Sequence, residues 1–166
     1  MFNLFKKSAS AEVYGHQMWL LCCEFAERFC NDYGPQLKAA GFLRKPKEDV
    51  VFQDEAMRLH LWLISRALGM QDRNVLDALH NHAHDLTIVD DIHITNLYAL
   101  YDQAAAIDNE RQANGIHTFL SETVFQRLIN TKKPNPDPII EAQIQISINI
   151  IVKVVRDMRS EFKIKG

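Results

Sequence analysis

Residues 137–165 read DPIIEAQIQISINIIVKVVRDMRSEFKIK, a stretch without glycine and with no proline after Pro138. Ile144, Ile148, Ile151, Val155, Met158 and Phe162 recur alternately four and three residues apart, the seam of a helix packed lengthwise against partners. Asp137 suits an N-cap, and Pro138 stands in the first turn, where a missing N–H costs nothing. About 28 helical residues rising ~1.5 Å each make a rod of roughly 42 Å, the height of a small domain. A second stripe, Ile139, Ile146 and Ile150, lies about 120° from the first. A helix apolar on two sides is expected at the centre of the domain or at a subunit interface.

Residues 144–150 also alternate with period two and are rich in isoleucine, the pattern of a strand. The flanks decide for helix: Asp-Pro precedes the segment, mixed polar and apolar residues continue to Phe162, and no turn signal closes a hairpin.

Outward from this stretch, Lys132 to Pro138 holds three prolines in seven residues and reads as a stiff exposed connector. Before it, Thr118 to about Asn130 predicts a helix with Leu120, Val124, Phe125 and Leu128 inward. Ile92 to Asn114 predicts another, stopped by Gly115, with Ile94, Leu97, Tyr98, Tyr101, Ala104 and Ala105 as its buried stripe. Asp72, as N-cap, opens a helix to about Leu86 whose apolar arc is Val75, Ala78, Leu79, Ala83 and Leu86. Val50 to Leu68 is a clear amphipathic helix ended by Gly69, with Trp62 on its polar side as an exposed aromatic or a contact with another element. Gly41 to Lys47 reads as a basic loop. From the N-cap Ser10 a further helix runs to Gly34-Pro35, which is expected to end it, with Tyr14, Met18, Leu21, Cys22, Phe25 and Phe29 inward.

Residues 1–9 form a short apolar and basic leader ahead of a single helical domain, 10–166. The fold expected is therefore all-α, a single-domain bundle of five to six helices with a long C-terminal helix. At 166 residues and 47 % hydrophobic, one domain with one core is the natural size. A net charge of −2 gives no general pull toward nucleic acid or an anionic membrane. A basic patch would need the Arg44, Lys45 and Lys47 loop to meet Lys132 and Lys133, and no recognition motif supports one. Uninterrupted apolar runs stay well below the ~18 residues of a membrane span, and the N-terminus lacks a secretory core. Cys22, Cys23 and Cys30 fall within one helix, which is no disulfide framework. They read as small apolar residues of a cytoplasmic protein.

The residues that bear on chemistry are polar groups on apolar arcs: His60, His82 and Asp108, with Gln53 and His93 as neighbours. Burying such groups costs several kcal/mol unless each finds a partner. If they meet one another, two imidazoles and a carboxylate form a centre for iron, manganese or zinc. Against this, core histidines are commonly satisfied by a carbonyl or a tyrosine, and no Glu-x-x-His pair appears. A second set, His80 and His84 four apart with Asp77, has metal-binding spacing but lies on the polar face. Glycine-rich phosphate loops, nucleophile elbows, Cys-x-x-Cys pairs and His-Glu-x-x-His are all missing from the sequence.

The function expected is a cytoplasmic helical interaction module without a cofactor, whose partner is a second copy of the chain or another protein. Neither a membrane span nor nucleic acid is expected. The alternative is a small divalent-metal enzyme built on His60, His82 and Asp108.

Overall fold

The computed structural model describes residues 7–69, 72–85, 91–110, 119–129 and 138–165; at 7, 8, 85, 91–94, 97, 110 and 162–165 the backbone alone is described. The chain forms β1 (Lys7–Ser10), α1 (Ala11–Ala39), α2 (Pro46–Leu68), α3 (Arg73–Asp85), α4 (Asp91–Glu110), α5 (Phe119–Leu128), α6 (Pro138–Glu161) and β2 (Phe162–Lys165). It is an all-α bundle to which two four-residue strands are added.

Helix α1 starts where Ser10 Oγ accepts from the Val13 amide at 3.3 Å. It does not stop at Gly34-Pro35, as the sequence predicts, but continues to Ala39. Proline restricts its predecessor through that residue's Cβ, and Gly34 has none, so the helical backbone passes through. Its true end is a Schellman motif. Gly41, at φ +83°, and Phe42 donate to the carbonyls of Lys38 and Leu37. Helix α2 starts four residues earlier than expected, because Pro46 occupies its first turn and Glu48 accepts from the amides of Arg44 and Lys45 at 2.7 and 3.0 Å.

The core is organised on α2, which packs against α1, α5 and α6. From Leu59 to Ser65 every residue of α2 is buried, the mark of a helix enclosed on all sides. Of the two positions expected for the C-terminal helix, the centre of the domain or a subunit interface, the centre is taken by α2. α6 turns Ile140, Ile144, Ile148, Ile151 and Val155 inward and leaves its other side open. It also ends at Glu161 instead of running through Phe162. The Phe-Lys-Ile-Lys tail alternates with period two and pairs in parallel with β1, in the register Lys7↔Phe162 to Ser10↔Lys165. α3 lies on α1 so closely that a Cβ on Gly15 would stand 2.5 Å from Ala78 Cβ and 3.0 Å from the Val75 carbonyl oxygen.

Candidate functional site

Phe25, Phe29 and Tyr33 of α1, His60 of α2 and Ile146 and Ile150 on the open side of α6 line a half-open cleft of about 370 Å³. One wall is tied by Tyr33, whose hydroxyl lies 2.7 Å from Ser147 Oγ and donates to the Gln143 carbonyl at 3.3 Å. His60 reaches it from α2 and is only 1 % exposed. Its Nδ1 lies 2.6 Å from the Ala56 carbonyl oxygen of its own helix, and its ring sits 5.4 Å from Phe29 and 6.4 Å from Phe25, centre to centre. A carbonyl only accepts, so Nδ1 carries the proton and Nε2 presents a lone pair. Nε2 is buried and has no hydrogen-bond partner among the described residues. Burial pulls the imidazole pKa down from 6.5 to about 4, against the Ala56 carbonyl, which favours the charged ring; His60 is neutral at physiological pH.

Beside the cleft runs the second isoleucine stripe. Ile139, Ile146 and Ile150 are 69 %, 53 % and 53 % exposed. α6 is long and apolar enough, by length and composition, to cross a membrane. The sequence reading missed this because Gln143, Gln145, Ser147 and Asn149 interrupt its apolar runs without adding charge. In the fold, one face of the helix is occupied by the core.

The other residues singled out from sequence have separate surroundings. His82 is half-buried where α3 meets α1, its ring 4.7 Å from that of His16 and its Nε2 3.6 Å from Glu12 Oε1. Asp108 caps α5 from the end of α4, accepting from the amides of Phe119 and Leu120 at 2.6 and 2.8 Å. The structure thus does not bring His60, His82 and Asp108 together. Among the described residues no three His, Cys, Asp or Glu side chains gather in a metal-holding group. Gln53 is exposed, and the side chain of His93 lies outside the described residues, as do Lys132 and Lys133. His80 is not on a solvated face: its Nε2 lies 3.2 Å from Ser65 Oγ and 3.1 Å from Tyr98 OH, between α2 and α4. Asp72, expected as an N-cap, forms a two-point ion pair with Arg159 of α6. Of the cysteines, Cys22 is buried and its thiol pKa is pushed well up by desolvation; Cys30 is raised to about 11 for the same reason. Both stay protonated and poorly nucleophilic at neutral pH.

Of two further polar features, Trp62 stood open in the sequence between an exposed aromatic and a contact with another element, and Glu55 had no reading there. Trp62 is buried, donating to Asp102 Oδ1 at 3.0 Å and packing on Tyr101. Glu55, 5 % exposed, accepts from Arg58 at 3.0 Å and from Arg127 of α5 at 2.7 and 3.1 Å. It floors a second cleft of about 660 Å³ between α2, α4 and α5, with Leu100, Ile107 and Phe119 on its walls. The available signal was Glu55 itself, which falls about 40° from Leu59 and about 60° from Phe52 on the wheel.

Compared with protein-family models, curated proteins and solved structures, the chain matches none.

Proposed function

We propose that this chain, carrying no shown relationship to lend it a role, is a helical interaction module that self-associates through the open side of α6. The observation that supports the reading is the exposed stripe of Ile139, Ile146 and Ile150 on a helix whose other side is already committed to the core. At 100° per residue the three lie within about 40° of one line, the arrangement that lets a second helix lie along them. The same stripe on a second copy is its own complement, and a two-fold pairing of that kind closes as a dimer. Free thiols at Cys22, Cys23 and Cys30 go with a cytoplasmic location. The metal-dependent alternative needs His60, His82 and Asp108 in one place, and the three lie in separate parts of the fold.

Light scattering over a concentration series tests the reading. The wild-type chain is expected at twice the 19.1 kDa chain mass, and Ile139→Lys with Ile146→Lys at the monomer mass with an unchanged helical spectrum. A wild-type mass that stays monomeric up to the highest soluble concentration removes the proposal.

A further inference from the structure

The cleft of about 660 Å³ between α2, α4 and α5 has an uneven balance of charge at its floor. Glu55 is one carboxylate between two guanidinium groups: Arg58 donates to it at 3.0 Å, and Arg127 at 2.7 and 3.1 Å. Among the described residues lining the cleft there is no other acid. The Tyr101 hydroxyl beside Arg127 offsets nothing, because burial raises its pKa and keeps the phenol neutral. One positive charge is therefore in surplus.

Arg127 carries that surplus within reach of a solute. Its Nε and one Nη2 hydrogen are engaged by Glu55, which leaves three of the five N–H groups of the guanidinium for other partners. The side chain lines the cleft and is 40 % exposed, whereas that of Glu55 is 7 % exposed. Above this floor the walls are apolar, with Leu100 and Phe119 exposed and Ile107 and Ala104 beside them. Apolar walls around a single charged anchor, in a space of this size, are the make-up of a small-molecule site.

We propose that this cleft binds a small monocarboxylate with an apolar body, its carboxylate on the N–H groups of Arg127 that Glu55 leaves unused and its body against Leu100, Ile107 and Phe119. The carboxylate supplies the second negative charge, so that two anions face two cations. The planar edge of a guanidinium takes a carboxylate through two parallel hydrogen bonds. A neutral amide of the same shape keeps the wall contacts and one acceptor oxygen but leaves the charge uneven, and a cation is repelled. Because Arg127 is partly solvated, the preference for the carboxylate is expected to be about tenfold.

The probes are 1-naphthoate and 1-naphthamide, which share a ring system and differ in charge, titrated by calorimetry and by chemical-shift changes. Wild type is expected to bind one 1-naphthoate per chain, about tenfold more tightly than 1-naphthamide, with shifts at Leu100, Phe119 and Arg127 Nε. Arg127→Met combined with Glu55→Gln removes both members of the pair and strands no buried carboxylate. It is expected to bind the two probes equally. Leu100→Trp, a change at an exposed wall position, is expected to weaken both, with the fold of each variant verified by circular dichroism. Equal affinity of wild type for the two probes, binding of neither, shifts that spare Arg127 and Phe119, or a preference retained in the double variant each overturns the proposal. The residues named all lie outside α6, so this result is independent of self-association, and failure of one reading leaves the other standing.

Discussion

His60 is a residue whose protonation is coupled to folding in the mildly acidic range. Its ordinary pKa, carried by the unfolded chain, is ~6.5, and in the fold desolvation lowers it to about 4. Between these values the unfolded chain binds more protons than the folded one, so stability rises with pH across that window. The contribution is complete above pH ~6.5 and is lost as pH falls toward 4, by up to about 3 kcal/mol. Denaturant unfolding at pH 7.5 and at pH 5 is expected to show the wild type losing stability where His60→Phe loses much less. Parallel losses in the two proteins would mean that the ring is solvated. Sequence placed His60 inside because its wheel position was flanked by Ala56, Leu59 and Leu63 on one continuous arc. It left Trp62 open between exposure and contact because α2 is buried beyond that arc, and only neighbouring helices decide which additional positions are covered.

At the scale of elements, α1 and α3 approach closely at Gly15. A methyl on Gly15 meets backbone atoms of α3, the Val75 oxygen at 3.0 Å and the Leu79 nitrogen at 3.1 Å, as well as Ala78 Cβ. Backbone cannot rotate aside as a side chain does. Gly15→Ala should therefore destabilise by about 1–3 kcal/mol through forced separation of the helices, offset by up to ~1 kcal/mol of helix propensity. Gly15→Val should cost more. A lowered urea midpoint is the expected result, and a raised one would show that the two helices can part without loss. Other helices are joined by charge: Glu55 links α2 to α5 through Arg127, and Asp72, just before α3, pairs with Arg159 of α6. Caps near the starts of the helices were legible where the capping side chain is local, as at Ser10. Asp108 was not legible as a cap, because it serves a helix that begins eleven residues later.

Across the whole molecule, β1 and β2 bring the two ends of the described chain side by side. A parallel pair cannot be closed by a tight turn, and here the six helices together form the connection. Two short strands alone are marginal in water, so their pairing depends on the bundle more than the bundle depends on them. Removing residues 162–166 should leave the helical spectrum intact and lower the melting temperature by a few degrees, about 2–4 °C for each kcal/mol lost. A collapse of the fold on that truncation would show the pairing to be essential to assembly. The exposed face of α6 belongs to the same scale. The sequence showed two apolar stripes, and the fold uses one for the core and leaves the other at the surface.

The sequence by itself determined that the chain is helical, roughly where each helix runs, and which residues of α1, α5 and α6 face inward, because apolar spacing and local caps act within one segment. Tertiary structure alone decided that α2 and not α6 is enclosed, that His80 joins Ser65 and Tyr98, and that His60, His82 and Asp108 go to different places. It also decided that Phe162 leaves the helix for a strand. The physical reason is common to all four: a helical wheel fixes a side chain's direction about its own axis, whereas burial and hydrogen bonding depend on which other segment lies in that direction.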